Sequence, residues 1–139
     1  MIIDAIDKYD TYILEELGNE CLPIYYKSKD ILDLLSDDKY RLFKVIIDNK
    51  IIGLCFIQVF LERNHIMSLC IKPKYQKLGI GSKIIQYIDS LNNKPISLYV
   101  QSSNVSAVNF YLKNNFKIVK IIPDYYLILE NKEAYYMIL

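Results

Sequence analysis

Residues 66–91 combine an apolar strand, a glycine turn and an amphipathic helix, and that order constrains the fold more than any other stretch. Ile66 to Ile71 is an apolar run of strand length. Gln76-Lys77-Leu78-Gly79-Ile80-Gly81 follows, and Ile80, Ile84, Ile85, Ile88 and Leu91 then recur at helical spacing. At such a junction the first N–H groups of the helix lack partners, and the positive end of the helix dipole points the same way. Glycines let an anion approach that backbone closely. The junction therefore reads as an anion cradle.

Spacing excludes two other phosphate loops. A Walker loop ends in Gly-Lys-Ser/Thr after a long glycine interval, which Gly81-Ser82-Lys83 does not match, and a dinucleotide loop needs a third glycine where Ile84 stands.

The 139 residues suit one domain, 1–139, with a continuous core and no room for a second. Lys and Arg number 17 against 16 Asp and Glu, without a like-charge block, so nucleic acid is not an expected partner. Cys21, Cys55 and Cys70 are scattered and two lie inside apolar runs, which reads as reduced buried thiols with no metal site. The absence of a signal-like start and of any membrane-length apolar run makes a cytoplasmic protein without membrane attachment the expectation.

Periodicity and turn residues order the remaining elements. Ile2 to Ile6 is a strand; Asp10-Thr11 caps a helix expected to stop at Gly18. The apolar loop Cys21 to Tyr26 is interrupted by Pro23, and Ser28 caps a helix over Lys29 to Leu35. Tyr40 to Ile47 and Ile51 to Leu61 form a hairpin about Asp48-Asn49-Lys50. His65 to Ile71 is the strand before the glycine loop, and Ile96 to Val100 follows its helix. Asn104 caps a helix with Val105, Val108 and Leu112 as its apolar stripe, ended by Asn114-Asn115. Phe116 to Ile122, Tyr125 to Leu129 and Ala134 to Leu139 are read as closing strands. The predicted fold is α+β, a mixed central sheet flanked by helices in three layers.

That order, with Leu22-Pro23-Ile24-Tyr25-Tyr26, His65-Ile66-Met67-Ser68-Leu69, Gln76 to Gly81, Tyr99-Val100-Gln101, Ser103 to Ala107, Phe110-Tyr111 and Tyr125-Tyr126, resembles the Gcn5-related N-acetyltransferases (GNAT). The resemblance is strongest to their N-terminal (N-alpha) protein acetyltransferases of the Naa50 type. It implies acetyl-CoA as donor and a peptide or protein N-terminus as acceptor, with a ribosome or auxiliary subunit among the expected docking partners.

In the resemblance, the donor is held by the loop Gln76, Lys77, Leu78, Gly79, Ile80, Gly81 and Ser82, by the backbone of Leu69, Cys70 and Ile71, and by Asn104, which also suits a helix cap. The Naa50 type pairs a tyrosine with a histidine on the next strand to hold a water that takes the amine's proton. Here the pair is exchanged, with His65 first and Tyr99 second. Histidine ordinarily titrates near ~6.5 and tyrosine near ~10, so His65 is the expected base and Tyr99 the orienting group. Tyr111 is expected to protonate the departing thiolate. Leu22, Pro23, Ile24, Tyr26, Tyr125 and Tyr126 are expected to bind the acceptor, with a Met-plus-hydrophobic start favoured. Direct attack is expected, because Cys70 has no adjacent base to make it a nucleophile. A small-amine or lysine acetyltransferase and a non-catalytic acetyl-CoA-binding module stand as alternatives.

Overall fold

A computed structural model describes residues 1–139. Seven strands, β1 (Ile2–Ala5), β2 (Tyr40–Ile47), β3 (Lys50–Val59), β4 (Asn64–Ile71), β5 (Ile96–Gln101), β6 (Lys117–Ile122) and β7 (Ala134–Ile138), form one sheet in the order β1-β2-β3-β4-β5-β7-β6. Four helices cover it: α1 (Thr11–Cys21), α2 (Ser28–Leu35), α3 (Ile80–Asn92) and α4 (Val105–Lys113). Only β4 and β5 run parallel, joined through α3. This is the α+β mixed sheet that the sequence predicts, and no helix is long and apolar enough to cross a membrane.

Alternation along β2 and β3 divides the core into two layers. Phe43, Val45, Cys55 and Ile57 face one way and pack with Ile80, Ile84, Ile85 and Ile88 of α3 and Val108 and Tyr111 of α4. Leu42, Leu54 and Phe56 face the other way, onto Leu14 and Leu17 of α1 and Ile31 of α2. The β2–β3 hairpin closes through Asp48 and Asn49, with φ of 51° and 62° between paired Ile47 and Lys50. Two left-handed residues give a twist that matches the strands they join, and Asp and Asn tolerate that conformation.

Ser28 is the first residue of α2 and Lys27 holds the cap position expected of it, and three further local expectations need correction. Gly18 does not end α1, which continues to Cys21. A Cβ at Gly18 would lie 2.8 Å from Tyr25 Cβ, so the glycine seats the returning Leu22 to Tyr26 loop against the helix. Second, α4 does not bury the Val105–Val108–Leu112 stripe: Val105 and Leu112 are exposed, whereas Val108 and Tyr111 are buried. Rotating the helix to bury an aromatic ring removes more apolar surface from water than burying two aliphatic tips. Third, Tyr125 to Leu129 is not a strand. It lies in the irregular segment 123–133 between β6 and β7, which is tied by Tyr126 N–H to Lys132 C=O and by Gln101 Nε2–H to Asn131 C=O. Its tyrosines are packed by aromatic rings and not by a ladder.

The feature that creates a site is where β4 parts from β5. Their register holds only at Asn64↔Ile96, His65↔Ser97 and Ile66↔Leu98. On its other side β4 pairs Ser68 with Phe56 but Ile66 with Ile57, which leaves Met67 as an extra residue. A bulge of this kind bends its strand and reverses the facing of the residues beyond it. Accordingly Ile66 packs in the α3/α4 layer and Cys70 in the α1/α2 layer, although both are even-numbered. Beyond Ile66 the β4 backbone facing β5 has no ladder partner.

Candidate active site

The opening between β4 and β5 is a cleft of about 730 Å³. Leu69 lines it from β4, Val100 and Gln101 from β5, and Asn104, Ala107 and Tyr111 from the cap and body of α4. Leu22, Pro23, Ile24 and Tyr26 of the first loop wall one end, and Tyr125, Tyr126, Leu127 and Ile128 of the 123–133 segment stand beside them. No Asp, Glu, Lys or Arg lines the cleft.

The structure brings His65 and Tyr99 together. Their rings meet edge to face at 5.3 Å, because His65 and Ser97 are register partners and Tyr99 points to the same side as Ser97. Tyr125 stacks on Tyr99 at 4.2 Å and meets Tyr126 edge-on at 4.8 Å. Tyr136 of β7, the register partner of Tyr99, completes the group at 4.9 Å from Tyr99 and 6.5 Å from His65. Sequence reasoning missed Tyr136, Ser97 and Arg63. His65 Nδ1 lies 2.7 Å from Ser97 Oγ, to which Arg63 Nε–H donates at 3.2 Å. Only knowledge that β7 inserts beside β5 and that β5 faces β4 in this register would have exposed them.

Electrostatics alters the role that composition alone gives to His65. Burial, and after it the Arg63 guanidinium, push its imidazole down to about 4, so the ring is neutral at pH 7 and only weakly basic. That value lies below the range near pH 7 on which the sequence reading of His65 as base rests. Burial also raises Tyr26 and Tyr125, and with Tyr125 beside it Tyr126 is pushed up to about 12. These phenols stay protonated and act as hydrogen-bonding groups. Tyr111 is packed in the core, and burial raises its phenol far above the usual tyrosine range. Its hydroxyl has no partner in the chain, yet no buried polar side-chain atom is unpaired, so the oxygen opens on the cleft. Cys70 is held as a thiol by burial, with Cys21 acting in the same direction, and does not supply a thiolate nucleophile.

The glycine loop has the features of an anion cradle. Gly79 caps α3 in the left-handed region at φ 78°, and Lys77 shares that region at φ 63°. The first intrahelical bond runs from Lys83 N–H to Gly79 C=O, and the N–H groups of Ile80, Gly81 and Ser82 have no partner within the chain. A Cβ at Gly79 would meet nothing within 4 Å, which leaves room for a diphosphate against the backbone. Gly81 has a different reason to be glycine: its Cβ would lie 2.7 Å from the Phe110 ring, so α3 and α4 close on each other there. Leu78 is exposed beside the turn. The Gln76 side chain donates to Ile71 C=O at 2.8 Å, fastening the loop to the end of β4. Asn104 caps α4 by accepting from Ala107 N–H at 3.2 Å, which leaves its Nδ2 free at the cleft wall. None of Cys70 to Ser82 lines the cleft: the free N–H donors at the start of α3 suit a diphosphate, and the apolar cleft with Asn104 and Tyr111 on its wall suits a pantetheine arm and its sulfur.

Known proteins resemble this chain in sequence and in fold. The family model for the acetyltransferase (GNAT) domain matches residues 38–118. N-alpha-acetyltransferase 50 of Danio rerio is 32 % identical over 133 residues, spanning 88 % of this chain and 77 % of that protein. Arabidopsis thaliana Naa50, solved in complex with the bisubstrate analogue CoA-Ac-MVNAL, superposes with a TM-score of 0.84 at 24 % identity, covering 99 % of this chain and 97 % of that one. A chimera of the spermidine N-acetyltransferase SpeG from Vibrio cholerae with hSSAT superposes with a TM-score of 0.83 at 20 % identity, covering 100 % of this chain and 95 % of that one. Those two likenesses concern the fold alone, which enzymes named for different acceptors share. The family match over more than half the chain and the relative at 32 % identity go further: this chain belongs to the GNAT family and is an acetyl-CoA-dependent N-acetyltransferase.

Proposed function

We propose that the enzyme acetylates the α-amino group of peptide or protein N-termini, with a methionine followed by a hydrophobic residue favoured, by direct attack while both substrates are bound. The observation that carries this reading is the uncharged, aromatic and aliphatic lining of the acceptor end of the cleft. A polyamine would bring further ammonium groups to a surface with no carboxylate to pair them, at an unrecovered desolvation cost. The low basicity of His65 acts in the same direction. An α-amine of pKa ~8 is on the order of a tenth neutral at pH 7, whereas a lysine amine near ~10.4 is neutral in fewer than about one molecule in a thousand. A site without a strong base selects the amine that arrives already neutral.

Acetyl-CoA supplies an acetyl group activated as a thioester. In this reading Ile80, Gly81 and Ser82 N–H hold its diphosphate, Asn104 Nδ2 and the β4 backbone over Leu69, Cys70 and Ile71 flank the arm, and Tyr111 Oη–H meets the sulfur. The amine lone pair attacks the acyl carbon, the C–S bond breaks, one N–H proton leaves to water held near His65 and Tyr99, and the sulfur takes a proton from solvent. Tyr111 steadies the thiolate by donating a hydrogen bond; its raised phenol is a weaker acid than an ordinary thiol near ~8.5, so full proton transfer from it is uphill. Positioning of this kind is worth up to about 7–11 kcal/mol, more than a weak base contributes.

The test is steady-state kcat/KM on peptides beginning Met-Leu, Ser and Asp, with spermidine and an internal-lysine peptide as controls. Met-Leu is expected to lead by about 1–3 kcal/mol in transition-state terms, and Ile24→Glu to erode that lead by placing a charge on the apolar wall. Faster turnover of spermidine would replace the reading with a small-amine enzyme. A Ser-start preference would remove the methionine specificity and keep the N-terminal acceptor. Acetyl-CoA binding with no turnover would leave a binding module.

A further inference from the structure

His65 is the chain's single histidine, and two neighbours decide which ring nitrogen carries its hydrogen. Ser97 is fully buried, and its hydroxyl has one hydrogen and two lone pairs. Arg63 Nε–H, 3.2 Å away, can only donate, so it occupies one lone pair. His65 Nδ1 sits 2.7 Å from the same oxygen. If Nδ1 carried a hydrogen it would fill the second lone pair, and the Ser97 O–H would be left without an acceptor in a dry site, since Oγ has no third partner. A buried donor without an acceptor is strongly disfavoured. If Ser97 donates to Nδ1, every group is satisfied.

We infer that Arg63 and Ser97 are positioning residues that fix His65 as its Nε2–H tautomer, so that the imidazole meets the acceptor side of the cleft as a hydrogen-bond donor. Nε2 has no partner in the chain and is not a buried unpaired atom, so it opens on the cleft that His65 lines. Arg63 is itself held. Its guanidinium lies 4.2 Å over the Phe60 ring, Nη1 donates to Glu62 Oε1 at 2.7 Å, and Phe60 N–H donates to Arg63 C=O at 2.9 Å across the turn. The groups facing the ring are Arg63 in the turn before its strand, Tyr99 on β5 and Tyr136 on β7, none of them a carboxylate that would favour imidazolium. A nitrogen bearing hydrogen cannot take the amine's proton. It can hold an oxygen, that of a bound water or of the acceptor's first peptide carbonyl. That use rests on the N-terminal acceptor reading; the tautomer does not.

With one histidine, long-range ¹H–¹⁵N correlation on the ring-labelled full chain at pH 7 gives a single pattern to read. The expected pattern is Nε2–H with bare Nδ1. Ser97→Ala is expected to abolish the preference. Arg63→Lys, which keeps the charge, should leave the titration midpoint low, and Arg63→Met should raise it. An Nδ1–H or averaged pattern in the unaltered protein overturns the inference without recourse to any variant, as does an unchanged tautomer in folded Ser97→Ala. The expected pattern in a protein that turns over spermidine but no peptide upholds the tautomer and sinks the N-terminal acceptor reading instead.

Discussion

At the scale of single residues, the proposed chemistry turns on His65, whose burial lowers its basicity. If the substrate amine and not His65 sets the protonation requirement, kcat/KM should rise through about pH 8, where an α-amine titrates, with no inflection near ~6.5. His65→Phe should lower the rate while leaving that limb in place. A limb near ~6.5 that vanishes in His65→Phe would restore the imidazole as base. The same depressed value predicts a stability effect. In the unfolded chain the imidazole binds its proton below ~6.5, whereas in the folded chain it does so only below about 4. The contribution is therefore fully present above the unfolded value and is lost as pH falls towards 4. Thermal denaturation between pH 7 and 5 should show a steeper loss of Tm for the unaltered protein than for His65→Phe.

At the scale of elements, the α3–α4 contact couples the cradle to the cleft. The Phe110 ring packs against Gly81 while its neighbour Tyr111 lines the cleft, so one turn of α4 touches both the glycine loop and the cleft. Gly81→Val should destabilise the fold by about 1–3 kcal/mol through overpacking and weaken CoA binding by displacing the helix start. Phe110→Leu should recover much of that stability in the double variant, because residues in contact are not additive. Denaturant titration of the four proteins with calorimetry of CoA binding checks both claims. Additive losses would mean that the ring and the glycine do not share the space.

At the scale of the whole molecule, much of the order of elements was legible because it rests on local patterns: Ile80, Ile84 and Ile88 at helical spacing, Asp48-Asn49 at the hairpin, Asn104 before α4. What escaped was non-local. Tyr125 to Leu129 has strand composition, but Tyr125 stacks on Tyr99 and meets Tyr126 edge-on at the cleft, where Leu127 and Ile128 remain 73 % and 82 % exposed. Nothing in Lys117 to Leu139 says that the last strand slips between β5 and β6, and that placement brings Tyr136 to His65. The bulge at Met67 is equally silent in sequence, since a period-2 pattern interrupted once looks like noise. The short β4–β5 register has a mechanical consequence. Three residue pairs stitch β1–β4 to β5–β7, so the sheet is a seam unzipped for most of its length, and a molecule lying in the gap acts as a splint across it. Saturation at 100 times Kd adds about 2.7 kcal/mol to stability. Amides of β5 and β7 that exchange by local opening of the seam should therefore slow with CoA bound, whereas those of β2 and β3, paired along their whole length, should slow only as much as global unfolding does.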